Sequence, residues 1–388
     1  MFNQSVLHKV VPPAPLERAE LEHSLQPFGL SRMLPKAAYL DPAVLAWERT
    51  QIFAGWICLG RSSDVPDSGS MRTYSLGTSS ALVVRDATGT VRAFDNACRH
   101  RGHELLPCGE SAQRRAIVCP YHAWTYDLDG ALRGSPSFTR TEGFDKSAHA
   151  LNALPVVEWH GWLFADPGGT SGDFSDHVGE LEDIVASYDA GALRTVVTHE
   201  YDVAANWKIV VENYQECYHC SMIHPELTRV SPPKSGENLH TEGDWVGGWM
   251  ELREGADTMS LDGTSGGVVM ARLDEQEQRT VMYLVMLPNL LISLHPDYVM
   301  THLLTPKTPE LTHIQCSWAF PPEALELPDF DPSYAVDFWD LTNRQDWAAC
   351  ESVQRGMHSP RHTPGPLAPE EDGVYQFVSK MARRYLGG

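Results

Sequence analysis

Basic residues are scarce in this chain: 30 Lys and Arg stand against 51 Asp and Glu, a formal charge of -21 over 388 residues. A surface of that sign repels phosphate backbones and anionic lipid, which argues against nucleic acid or a membrane as partner. No run of about 20 apolar residues occurs, so no helix is expected to cross a bilayer. The stretch Met1 to Lys9 lacks the charged-then-apolar layout of a secretory signal. Cysteine is sparse as well, with eight residues at 58, 98, 108, 119, 217, 220, 316 and 350. So few in so long a chain make no disulfide framework, and metal ligation or free thiols are expected instead. No G-x-G-x-x-G opens a helix, so a nicotinamide cofactor should not bind this chain directly. What remains is an acidic enzyme, expected to be cytoplasmic, with room for about two domains.

Helical periodicity covers Leu16 to Ser24, and Asp41-Pro42 makes an N-cap and first-turn pair for a helix carrying Val44, Leu45, Trp47, Ile52 and Phe53. From there to about Phe164 short alternating strands take over. Ser80 to Arg85 and Thr90 to Phe94 flank a turn at Asp86-Ala87-Thr88-Gly89, and Asp129-Gly130 marks another. Asp166-Pro167-Gly168-Gly169-Thr170-Ser171-Gly172 reads as a linker. Beyond it, Arg194 to Val203 alternates as a strand, and residues 279–287, 290–295, 298–305 and 311–320 read as an antiparallel meander. A long helix follows over roughly 333–356. These patterns divide the chain into a helical extension (1–44) packing on the last domain, a β domain (45–165), a linker (166–176) and an α+β domain (177–388).

Inside the β domain, Cys98-Arg99-His100 is followed after 18 residues by Cys119-Pro120-Tyr121-His122. Each loop offers one thiolate and one imidazole. Two irons bridged by sulfide need four protein ligands, and two Cys with two His is the Rieske set. A structural Cys2His2 zinc site uses the same residue types, but it pairs like residues at C-x2-4-C and H-x3-5-H. The spacing here favours iron–sulfur. His103 and Cys108 fit neither loop and read as structural.

A second pattern lies at Asn206 to Pro225. Read as one helix ending near Met222, it places Glu212, Glu216 and His219 at i, i+4 and i+7 on one face. His224 would lie about 140° round that helix, but Pro225 pushes it out of the α region and lets it turn back beside His219. Two imidazoles with a carboxylate from elsewhere make the facial triad of non-haem Fe(II), which leaves positions open for oxygen. Asp337, Asp340, Asp346 and Glu351 on the long helix are the candidates for that carboxylate. Asp346 is preferred because apolar Trp347, Ala348 and Ala349 follow it, with Glu351 as the fallback. Glu212 and Asn213 are expected to orient the histidines.

Cys98-Arg-His100-Arg-Gly102, Cys119-Pro-Tyr-His122-Ala-Trp124 and Asn206-Trp-Lys208…Glu216-x2-His219-x4-His224 together resemble the oxygenase component (α subunit) of Rieske non-haem iron oxygenases. The resemblance implies an all-β Rieske domain holding the 2Fe–2S cluster through Cys98, His100, Cys119 and His122. It implies an α+β catalytic domain of helix-grip shape with mononuclear iron on His219, His224 and Asp346. It further implies a ring-shaped homotrimer in which electrons cross between subunits through Glu216, supplied from NAD(P)H by a flavin and iron–sulfur reductase. Many relatives have Asp at position 216 and Gly at 123, where this chain has Glu and Ala. Within the family the motifs look most like the monooxygenases of glycine betaine, carnitine and choline. Such cations are held by aromatic faces, for which Trp245, Trp249, Tyr283 and Trp318 are candidates. Hydroxylation of an aromatic ring is the alternative, and a cluster-bearing carrier or binding protein without oxygenase activity a more distant one.

Overall fold

A computed structural model describes residues 11–387. The chain divides into two compact units, one made of residues up to Ile52 together with Ser175 onward, the other of Phe53–Phe174.

The second unit is all-β. Its largest sheet runs in the order Ser111–Gln113, Ser70–Ser75, Ser80–Arg85, Val91–Asp95, Ala153–Leu154, with each adjacent pair antiparallel. Strand Ser80–Arg85 is apolar on both faces because both are covered: Leu82 and Val84 enter one core cluster and Val83 another. Asp86 forms the expected turn by accepting hydrogen bonds from the N–H groups of Thr88 and Thr90 at 2.8 and 3.0 Å. Two three-stranded sheets complete the unit, and one of them, Ile117–Val118, Thr125–Tyr126 and Leu132–Gly134, carries the second Cys/His loop.

The first unit is α+β. Its seven-stranded antiparallel sheet has the order Arg194–Val203, Leu311–Phe320, Val299–Thr308, Leu290–Leu294, Thr280–Met286, Trp245–Glu251, Glu237–Asn238. Four helices matter for the site: α1 (Pro42–Gln51), α2 (Trp207–Tyr214), α3 (Ser333–Met357) and α4 (Asp372–Tyr385). On α3, Phe338 and Trp339 bury against Trp318, Phe320 and Tyr298 of the sheet, so the helix is fixed over one sheet face.

The division expected at 44/45 instead falls after Ile52. The reason is a buried polar knot that ties α1 to α2. Glu48 of α1, fully buried, accepts from Lys208 Nζ at 2.6 Å, from Trp207 Nε1 at 2.9 Å and from the hydroxyl of Tyr385 on α4. Removing α1 from this unit would strand the Lys208 ammonium in the interior, which is far costlier than ordering the helix there.

Candidate metal centres

The two Cys/His loops of the β unit are each closed by their own backbone. Cys98 N–H donates to His103 O at 2.9 Å and Gly102 N–H to Cys98 O at 2.8 Å; Cys119 N–H donates to Trp124 O at 2.8 Å and Ala123 N–H to Cys119 O at 3.0 Å. The loops meet, since the His100 and His122 rings lie 4.7 Å apart centre to centre and His100 stacks on Trp124 at 4.9 Å. Both thiols are buried, with Cys98 Sγ 3.2 Å from the Tyr126 hydroxyl. The Nδ1 atoms of His100 and His122 are buried without hydrogen-bond partners, which is what two imidazoles kept for metal look like. Ala123 sits at φ +58°, a left-handed conformation that explains why glycine suits this position.

In the first unit the helix does not run on to Met222 as the periodicity suggests. It stops at Tyr214, and the chain turns through Glu216 into two short helices, Cys220–Ile223 and Pro225–Val230. Glu216 causes the break: its Oε2 accepts from the backbone N–H of Tyr218 at 2.5 Å and His219 at 3.2 Å, competing with the helical ladder. The turn brings His219 Nε2 within 3.1 Å of His224 Nε2, and α3 delivers Asp346 Oδ1 to 2.8 Å from His224 Nε2 and 3.3 Å from His219 Nε2. Among the described residues these three form the one group of His, Cys, Asp or Glu donors within 4.8 Å of one another. The four donors of the β loops are therefore not gathered about a single ion, as a zinc site would require.

Each Nδ1 is held from behind. His219 Nδ1 lies 2.5 Å from Glu216 Oε1, and His224 Nδ1 lies 2.7 Å from Gln345 Oε1. These oxygens accept hydrogen bonds from the Nδ1–H groups, which keeps the protons on Nδ1 and leaves both Nε2 atoms facing Asp346, the arrangement a divalent cation needs. Burial disfavours charge on His219, yet the Asp346 and Glu216 carboxylates outweigh it and raise its pKa to about 10. The pocket thus calls for positive charge, which a bound iron supplies.

Gln345 was not anticipated, although its place directly before Asp346 was the available signal. Glu212 and Asn213 do not contact the histidines in any observed hydrogen bond; Glu212 instead accepts from the Tyr39 hydroxyl at 2.6 Å, where burial pushes its carboxyl up to about 8. The other carboxylates of α3 are elsewhere. Asp337 is exposed, Asp340 accepts from Tyr201 at 2.6 Å and Arg344 at 2.7 Å, and Glu351 accepts from Ala204 N–H at 3.2 Å.

A cavity of about 540 Å³ opens onto His219, His224 and Asp346. Of the expected aromatic wall, Trp249 and Tyr283 line it, joined by Tyr214 and Trp339, with Tyr283 6.0 Å from Tyr214 and 6.2 Å from Trp339 between ring centres. Trp245 and Trp318 do not reach it and are core residues, 1% and 0% exposed. Glu237, Glu370 and Asp372 also line the cavity, against Lys234 as the one Lys or Arg among the described lining residues.

Residues 191–387 match the ring hydroxylating alpha subunit (catalytic domain) family, and residues 55–149 match the Rieske 2Fe–2S domain family. The chain belongs to the Rieske oxygenase α subunits. It is 32% identical over 378 residues to the glycine betaine monooxygenase oxygenase subunit of Chromohalobacter salexigens, covering 89% of this chain and 84% of that one. The structure of a quaternary ammonium Rieske monooxygenase, described for carnitine oxidation and inter-subunit electron transfer, superposes with a TM-score of 0.80 at 24% identity over 97% of this chain and 100% of that one. Naphthalene 1,2-dioxygenase from Rhodococcus superposes at 0.78 and 22% identity, over 95% and 98%. These last two likenesses establish the fold. The chain is therefore an oxygenase component that carries a Rieske cluster and a mononuclear iron, with electrons reaching it from NAD(P)H through a reductase. Among the described residues no helix is long and apolar enough to cross a membrane.

Proposed function

We propose that this oxygenase hydroxylates or oxidatively demethylates a small quaternary ammonium compound. The observation that carries the reading is the aromatic wall of Tyr214, Trp249, Tyr283 and Trp339, with carboxylates in the same cavity, above His219, His224 and Asp346. Aromatic faces attract a methylated ammonium through their quadrupoles, and nearby carboxylates add to the attraction once water is excluded. An arene would gain nothing from Glu237, Glu370 and Asp372, whose desolvation it would have to offset.

His219, His224 and Asp346 are the residues that hold the iron, and Cys98, His100, Cys119 and His122 those that hold the cluster. When bound, the cluster takes and passes single electrons and the iron activates oxygen beside the substrate. Glu216 keeps the Nδ1 proton of His219 in place and is the hydrogen-bonded link toward the cluster of a neighbouring copy; Gln345 does the same positioning for His224. Tyr283 lines the cavity, and its buried hydroxyl has no hydrogen-bond partner. The working assembly is a homotrimer in the cytoplasm, served by a flavin and iron–sulfur reductase.

The test is oxygen consumption by the reconstituted oxygenase and reductase with glycine betaine, carnitine and choline beside naphthalene and benzoate, with products identified by mass spectrometry. Turnover confined to the ammonium compounds is expected. Turnover of the arenes alone would replace this reading with ring hydroxylation. Iron analysis finding only a cluster would reduce the chain to an electron carrier.

A further inference from the structure

Sparse cysteine led to the expectation of free thiols or metal ligands, and for one pair the structure disagrees: Cys217 and Cys220 are joined by a disulfide. The remaining six, including the buried Cys58, Cys316 and Cys350, are free of disulfide bonds. The bonded pair occupies the turn that builds the iron site. Cys217 directly follows Glu216, Cys220 directly follows His219, and Cys220 O accepts the N–H of His224 at 2.8 Å. Cys220 is anchored in the core with Leu227 and Val230, while Cys217 is only partly buried and packs against the same cluster. The bond therefore ties the segment that carries Glu216 beyond the end of α2 to the anchored half of the turn.

Two features set it apart from a purely stabilising cross-link. It spans a separation of only 3 residues, and closing so short a loop removes little freedom from the unfolded chain. Both cysteines also line the cavity, Cys217 half-buried and Cys220 buried, so the pair sits at the cavity wall and Cys217 is its more approachable member. In a reducing compartment a disulfide of this kind is a transient, responsive one.

We propose that Cys217 and Cys220 form a reversible dithiol–disulfide site that sets how firmly the Glu216–His224 segment holds its metal. The inference rests on that segment being the iron site described above. The chemistry balances simply. Two thiols pass two electrons and two protons to a hydroperoxide, which leaves as water and an alcohol, or as two waters from hydrogen peroxide. In the reverse direction a dithiol donates two hydrogens and becomes a disulfide itself. With the bond closed, Glu216 and His219 keep the geometry seen here. With it open, Cys217 and Glu216 lose their tether to Cys220, and the Glu216–His219 contact is no longer enforced.

Differential alkylation and peptide mass mapping of the whole oxygenase, purified without oxygen and then treated with hydrogen peroxide or dithiothreitol, tests the site. The peptide holding Cys217 and Cys220 is expected to switch between a doubly alkylated form and an unalkylated disulfide, two hydrogens lighter than the free dithiol. Hydrogen exchange over residues 216–224 should be faster in the dithiol form, and iron release to a chelator about 10-fold faster. The Cys217→Ser variant should release iron at the fast rate whatever the treatment. Full alkylation under every condition would overturn the proposal, and so would interconversion that leaves exchange and iron release unchanged. A chain without mononuclear iron would sink the oxygenase reading instead, while the alkylation map and exchange would still report on the pair.

Discussion

The two metal centres are built in opposite ways. In the β unit all four donors sit in two loops that close on their own backbones, Cys98 to His103 and Cys119 to Trp124. In the α+β unit two donors come from one turn, and the third arrives on α3, 122 positions after His224. The first centre is local and needs little beyond its hairpins. The second exists only because a sheet, a buried Glu48–Lys208 pair and two helices hold distant segments in register. Local centres tolerate change elsewhere in the molecule; assembled ones do not.

The largest expected effects separate the two outright. Asp346→Ala should abolish turnover and lower iron from about three to about two per chain while the cluster absorbance stays; Cys119→Ala should do the reverse, erasing the absorbance and sparing the metal at His219 and His224. Loss of absorbance in the Asp346 variant would mean that the centres are not independent. Next comes the knot beneath the iron turn. Lys208→Met leaves Glu48 buried without its cation and should cost about 3–5 kcal/mol of stability, measured by chemical unfolding. The cluster spectrum should survive to higher denaturant than the helical circular dichroism, which comes from the α+β unit. A smaller effect is expected at the positioning residues. Glu216→Gln and Gln345→Leu should each keep the cluster and reduce turnover or iron affinity about 10- to 100-fold, and wild-type values for either would remove its assigned role. Smallest is Ala123→Gly, which relieves a left-handed alanine and should raise the stability of the β unit by ~1 kcal/mol, read as a small upward shift in the temperature at which the cluster bleaches.

The difference in construction also governs what could be read from sequence. The strands of the meander and the α3 helix follow period-2 and period-3.6 patterns that depend on neighbours in the chain, and they lie within three residues of their expected bounds. The Cys/His loops stand out for the same reason. The iron turn was misread as one continuous helix because periodicity cannot register a side chain that captures backbone N–H groups, as Glu216 does at Tyr218 and His219. Trp245 and Trp318 looked like cage residues, yet an aromatic in a strand gives no sign of which face of the sheet it enters until the register is known.

By itself the sequence determined the ligand types, their order, the α+β division and the acidic balance of the chain, because each of these is a property of short stretches or of composition. Only the tertiary structure decided that Asp346 rather than Asp340 or Glu351 meets the histidines, since all three sit on one helix and its packing on the sheet chooses which face looks inward. It also decided that Gln345 backs His224, that Glu212 belongs to Tyr39, and that Cys217 and Cys220 lie close enough to bond. These are distances set by packing over long sequence separations or by an irregular turn, and no local pattern carries them.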